Sequence, residues 1–178
     1  MGNPCIHLGF SQYHFVKLIL GGCAASASQR TAYQPVLLRG AAIKMPQEIP
    51  TFILAPCGVN CAVCYVHLRK KKACEGCRGA DGSKPNHCRN CKIQACASER
   101  GLALCVDCED FPCVLIKRMD KSYRQRYQLS LVENAQRFRA IGGEQFMRQE
   151  VIKWTCTACG GAISQHDRFC TECGKAIE

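Results

Sequence analysis

The sequence predicts a small, metal-stabilised α+β fold: a cysteine-rich domain of knuckles and short helices, a helical linker and a C-terminal zinc ribbon. Three observations carry that expectation. The 178 residues include 17 cysteines, a density that marks a disulfide or metal scaffold rather than an ordinary domain. Leu, Ile, Val and Phe supply 39 residues of the chain but only nine of the 57 from Cys57 to Cys113, too few to bury a core. The cysteines also recur as C-x2-C pairs, a spacing that lets two thiolates face one ion while backbone N–H groups turn toward the sulfurs. Cross-links through sulfur must therefore offset the chain entropy that burial cannot.

Residues 1–44 hold none of the clusters. They lack a clean hydrophobic period and contain the run Ala24-Ala-Ser-Ala-Ser28, so they are expected to be a disordered extension, or one translated from upstream of a working start at Met45. Cys5 and Cys23 then drop out of the ligand count. The run Phe15-Val-Lys-Leu-Ile-Leu20 before Gly21-Gly22-Cys23 is only loosely like a lipoprotein signal: it is short, Lys17 interrupts it, and no basic residue precedes it. No stretch of 18 apolar residues exists to span a membrane. Cysteines spaced as ligands rather than as disulfides point to a reducing compartment, the cytoplasm.

The cysteine-rich domain is assigned to residues 45–120. Cys57-x3-Cys61-x2-Cys64 opens it, followed by Cys74-x2-Cys77, Cys88-x2-Cys91-x4-Cys96 and Cys105-x2-Cys108-x4-Cys113. The last two clusters repeat at an interval of 17 residues, which predicts two copies of one loop geometry. The basic run Arg69-Lys-Lys-Lys72 and the turn-rich stretch after Gly79 are read as solvated surface.

Residues 121–154 form the expected helical linker. A short helix is predicted over 114–119, and Ser130-x-x-Glu133 is a capping-box signature for a longer one with Leu131, Ala135, Phe138 and Ile141 on its buried face, ended by Gly142-Gly143. A further helix over 144–154 places Met147, Val151 and Trp154 on one face. These faces read as packing surface. The ribbon occupies 155–178, where Cys156-x2-Cys159-Gly160 and Cys170-x2-Cys173-Gly174 are separated by ten residues. Glycine after each pair supplies the positive φ of a tight knuckle, and four thiolates close a structural zinc shell without leaving a catalytic position.

The string Leu54-Ala-Pro-Cys-Gly-Val-Asn-Cys-Ala-Val-Cys64, with Cys74-Glu-Gly-Cys77, His87-Cys-Arg-Asn-Cys-Lys-Ile-Gln-Ala-Cys96 and Cys105-Val-Asp-Cys-Glu-Asp-Phe-Pro-Cys113, resembles the bacterial and archaeal family known as domain of unknown function 3795. The likeness covers roughly residues 52–120, with four clusters agreeing in order, count and spacing. The continuation through Val132-Glu-Asn134, Ile141-Gly142 and Lys153-Trp-Thr-Cys156 is similar to members carrying a helical linker and a terminal ribbon. Such members start close to the first cysteine, which supports discounting residues 1–44. The resemblance implies a cysteine-rich metal-binding domain and no activity.

Eleven cysteines between 57 and 113 are not a multiple of four. One division adds His67, at knuckle spacing from Cys64, to make twelve ligands and three closed zinc sites. The other forms two closed sites from Cys74, Cys77, Cys88, Cys91, Cys96, Cys105, Cys108 and Cys113, leaving Cys57, Cys61 and Cys64 as a trio with an open position, the donor set suited to an iron–sulfur cluster or exchangeable metal. A C-x3-C-x2-C trio also occurs in radical S-adenosylmethionine enzymes, but the long βα barrel that follows it there has no room here.

Formal net charge is +10, which suggests nucleic acid until ligation is counted. Ionising fifteen thiols and binding four zinc ions removes about seven charges. What remains is a helical face with Lys117, Lys121 and Arg124, flanked by Arg118 and Arg126, and a solvated face accounts for it. No nucleophile triad with local context, phosphate loop or paired carboxylates beyond Glu109-Asp110 is present. The expected function is a non-enzymatic zinc-binding interaction or regulatory module with a protein partner. The alternative is an iron–sulfur or metal-handling redox protein, and nucleic-acid binding is a weaker third.

Overall fold

The computed structural model describes residues 43–177; the expectations for Cys5, Cys23 and the rest of 1–42 lie outside them. The described chain is mostly helical: α1 (Asn86–Arg89), α2 (Lys92–Glu99), α3 (Val114–Tyr127), α4 (Leu131–Ile141) and α5 (Gly143–Trp154). Single 3-10 turns lie at Thr51–Ile53, Cys61–Val63, Asp81–Ser83 and Cys105–Asp107. The β content expected of an α+β fold amounts, among the described residues, to isolated antiparallel bridges: Leu54 with Asn60, Lys44 with Gly161, Thr155 with Ala162, Ile163 with Cys170 and Phe169 with Ala176. Knuckles and glycine turns interrupt the chain too often for a ladder to lengthen.

The predicted capping signature does start α4. Ser130 Oγ accepts the Glu133 N–H at 3.1 Å, but the Glu133 carboxylate turns to Arg124 at 2.9 Å instead of reaching back. Its place is taken from another helix. Asp120 Oδ1 accepts the N–H groups of Leu131 at 2.6 Å and Val132 at 3.1 Å and the Ser130 hydroxyl at 3.0 Å, putting an anion at the positive end of α4. Helix α3 accordingly runs past the predicted 114–119, through Asp120 to Tyr127, and stops where Gln128 turns left-handed at φ 54°. Arg124, expected on a solvated basic face, clamps Asp120, Ser130 and Glu133.

The internal repeat does not fold as two copies. In the first, Cys91 caps α2 and Cys96 lies within it; in the second, Cys105–Asp107 is a 3-10 turn and the helix begins only after Cys113. Pro112 explains the difference, since a proline lacks the donor a helix interior needs and disfavours helix at the residue before it. The matching positions of the first copy, Lys92 to Ala95, are good helix formers.

Helices α3 to α5 supply the apolar surface that the cysteine-rich stretch lacks. Phe146, Met147 and Ala135 pack with Ile53, Leu54, Ala62, Leu104 and Val106, and Leu131 with Ile116 packs against Ala55, Cys57, Val59 and Ile93. Trp154 and Leu129 join Val63 to Cys156, Ile163 and Cys170. Polar ties follow the same lines: Glu150, buried in α5, accepts from Asn60 Nδ2 at 3.1 Å and Trp154 Nε1 at 2.8 Å, and Gln165 donates to the Asn60 carbonyl at 2.8 Å. Among the described residues no helix is long and apolar enough to cross a membrane.

Candidate metal centre

The clearest donor set lies directly after α5. Cys156 and Cys170 each close a tight loop in the same way, their carbonyls accepting from Gly160 at 2.8 Å and Gly174 at 3.1 Å. Both glycines take the predicted positive φ, 69° and 70°. The loops face each other with Cys156 and Cys173 sulfurs 3.6 Å apart and Cys159 and Cys170 sulfurs also 3.6 Å apart. All four ligand atoms lie within 4.8 Å of one another, near the roughly 3.8 Å edge of a tetrahedron with 2.3 Å zinc–sulfur arms and far beyond a disulfide bond.

Amide donors prepare these sulfurs for negative charge. The N–H groups of Ala158 and Cys159 point at Cys156 and pull its thiol well below the ordinary range. For Cys159 the Gly161 N–H acts the same way, but the neighbouring sulfurs of Cys173, Cys170 and Cys156 outweigh it and push the thiol up. The amides favour negative sulfur while the crowding of sulfurs disfavours it, a conflict that a bound cation would relieve. The residues fit a metal ion with four soft donors.

Among the described residues this is the group gathered so tightly. The other eleven cysteines stand further apart and mix their sequence clusters. Cys57 is buried with Cys61, Cys77, Cys91, Cys105 and Cys113 packed around its apolar neighbours. Burial pushes its thiol up, the Val59 N–H opposes this, and the thiols of Cys77, Cys91 and Cys105 add to the rise. Cys61 is raised by burial and then by Cys77, Cys64 and Cys57, while the Cys77 N–H points at its sulfur. Cys64 is pushed up to about 11 by burial, against the N–H groups of Val66 and His67, with Cys88 and Cys74 as its repelling neighbours. Within the expected trio, Cys61 has both Cys64 and Cys57 among its neighbours, after Cys77, whereas the repelling neighbours of Cys64 are Cys88 and Cys74.

The later clusters cross in the same way. Cys77 is pushed up to about 11 by burial and then by Cys91 and Cys88, and Cys88 is raised by burial, Cys74 and Cys91. Cys105 is pushed up to about 11 by burial and by Cys113, Cys96, Cys108 and Cys91. Arg100 Nη1 donates to Cys108 Sγ at 3.2 Å and to Asp110 at 3.0 Å. His67 is buried, with Nδ1 2.6 Å from the Cys74 carbonyl.

Sequence reasoning passed over Tyr123 and His166. The Tyr123 hydroxyl meets His166 Nε2 at 3.1 Å, and Tyr65 and Tyr127 pack edge-on against the same imidazole. Burial raises the Tyr123 phenol, and the nearby thiols of Cys57 and Cys64 raise it further. These residues come from three separate stretches of chain with no local motif, so no sequence signal could have joined them.

Residues 53–118 match the model of a family described as "Protein of unknown function (DUF3795)", in agreement with the resemblance carried by the four clusters. No curated protein and no solved structure matches the chain.

Proposed function

We propose that the protein is a cytoplasmic, zinc-binding interaction or regulatory module that performs no chemistry at its metal and acts on a protein partner. The observation that carries this reading is the closed set of Cys156, Cys159, Cys170 and Cys173, with sulfurs paired at 3.6 Å on two glycine-ended knuckles. Four thiolates satisfy zinc and leave no position for substrate, and paired knuckles favour zinc, which has no redox demand and accepts a tetrahedral shell. The C-terminal module is read as a zinc ribbon on the same grounds. Thiols used as ligands must stay reduced, which suits the cytoplasm.

The experiment is anaerobic purification of the full chain with zinc, iron and acid-labile sulfide counted per chain. Zinc without sulfide is the expected result. Iron with sulfide would instead favour the redox or metal-handling alternative at Cys57, Cys61 and Cys64, which has less support because Cys64 turns toward Cys74 and Cys88. Nucleic acid is the weaker partner, since Arg124 is engaged by Asp120 and Glu133. Binding to a generic duplex that falls steeply with salt would replace the protein-partner reading.

A further inference from the structure

We infer that the eleven cysteines of residues 57–113 form three sites that interleave along the chain: Cys57, Cys61, Cys77 and Cys91; Cys64, Cys74 and Cys88 with His67; and Cys96, Cys105, Cys108 and Cys113. This deepens the zinc-binding reading and rests on it.

Backbone contacts bring the clusters together. The Cys74 N–H donates to the Val66 carbonyl at 3.1 Å, laying the second cluster beside the segment that follows Cys64. One residue pair further on, a Cβ at Gly76 would sit 3.5 Å from the Cys61 Cβ, and the Cys77 N–H points at the Cys61 sulfur. Cys61 and Cys64 therefore face different members of the second pair, Cys77 and Cys74. Cys88 and Cys91, in α1 and at the cap of α2, divide by the order of their neighbours: Cys88 acts first on Cys64 and has Cys74 ahead of Cys91, while Cys91 comes ahead of Cys88 at Cys77 and is second at Cys57. Three C-x2-C pairs each lend one thiol to either of two adjacent sites. Cys57 provides the fourth donor of the first.

The second has three thiols and one imidazole. His67 follows Cys64 by three residues, its own N–H points at the Cys64 sulfur, and Nδ1 is held against the carbonyl of Cys74 at 2.6 Å. Metal-binding histidines characteristically donate one ring N–H to a carbonyl and ligate through the other nitrogen, so Nε2 is the donor of this site. The third site gathers the second sequence copy with Cys96 of the first. Cys113, Cys96 and Cys108 act on Cys105 ahead of Cys91, and Arg100 donates to Cys108.

The division fits the arithmetic, since eleven thiols and one histidine make three sets of four.

The test is native mass spectrometry of the full chain expressed with zinc, followed by a mild chelator challenge. The intact chain should carry four zinc ions. The double variant Cys61→Ser/Cys77→Ser removes two donors from one site and should release one ion, keeping three. Cys61→Ser/Cys64→Ser removes one donor from each of two sites and should release two. Grouping by sequence cluster predicts the reverse, and the reverse result would overturn the inference. Because a variant can fail to fold, the intact chain is also alkylated during stepwise zinc withdrawal and mapped by mass spectrometry. Cys61 should become reactive together with Cys57, Cys77 and Cys91, and Cys64 with Cys74 and Cys88; a set holding Cys57, Cys61 and Cys64 alone overturns the division. His67→Ala should release one ion and expose Cys64, Cys74 and Cys88 but not Cys61. An intact chain with one zinc overturns the inference and leaves the ribbon reading standing, whereas a chain that takes up no zinc overturns the reading beneath both.

Discussion

Gly58 and Gly160 both adopt positive φ, 93° and 69°, yet a methyl group separates their roles. At Gly160 nothing lies within 4 Å of an added Cβ, so Gly160→Ala should cost only the left-handed conformation, about 1–2 kcal/mol. At Gly58 the new atom would run into the Leu131 carbonyl oxygen. Gly58→Ala must push α4 away from the first cysteine loop and should destabilise the metal-loaded protein more than Gly160→Ala in urea unfolding. Asp120 makes the second residue-level prediction. Burial opposes its ionisation, but the N–H of Val132, Arg124, the Ser130 hydroxyl and the Leu131 N–H outweigh it and hold the carboxyl below its usual value. A depressed native pKa contributes stability that is present above the unfolded carboxylate value, near 3.9, and lost as pH falls through the native one. Asp120→Asn should lower stability at neutral pH by roughly 1–3 kcal/mol and weaken the acid dependence of melting below about pH 5, where the unfolded carboxylate begins to take up its proton before the native one.

At the scale of elements, α5 is fastened to the cysteine-rich stretch by both apolar and polar contacts at one residue. Trp154 is buried against Val63, Cys156, Ile163 and Cys170 while its indole N–H donates to Glu150 at 2.8 Å. Trp154→Phe keeps most of the volume and should cost about 1–3 kcal/mol for a buried carboxylate oxygen left with fewer donors. Trp154→Ala should cost about 3–5 kcal/mol through the cavity. Thermal melts of the two variants separate the contributions; equal losses would mean that packing at this site carries nothing. Elements were legible where their signals are local. Ser130 with Glu133 marked the start of α4 and Gly142 its end, whereas the repeat misled because Pro112 alters backbone geometry without changing cysteine spacing. The length of α3 was missed for a tertiary reason, because Asp120 is held by the start of another helix.

For the whole molecule, the consequence is mutual dependence of segments that the sequence divides. Residues 45–120 contain eleven clustered cysteines, but the apolar neighbours Leu131, Ala135, Phe146 and Met147 come from α4 and α5. A chain ending at residue 120 should therefore bind zinc without a cooperative thermal transition, and a sharp transition would show that metal alone suffices. Cys170→Ser should remove one zinc ion, and because Cys156 and Cys170 share a core with Val63, Leu129 and Trp154, the remainder should melt at lower temperature rather than unchanged. Native mass spectrometry and calorimetry on the same sample check both effects.

The gathering of Cys156, Cys159, Cys170 and Cys173, the positive φ at Gly160 and Gly174, and the approximate helices could be read from the sequence, because spacing, glycine and hydrophobic period act within a few residues. The matching of residues 53–118 to a family of unknown function was legible for the same reason, being carried by cysteine spacing. Which thiols become neighbours was not. Cys61 beside Cys77 and Cys64 beside Cys74 depend on backbone bonds such as Cys74 to Val66, and Tyr123 meets His166 across 43 residues. A C-x2-C pair leaves the sequence indifferent between two sulfurs at one ion and one sulfur at each of two, since both need only a short turn. Tertiary packing of the turns brings Cys77 to Cys61 and Cys88 and Cys74 to Cys64, neighbours that lie in other clusters and that spacing alone does not select.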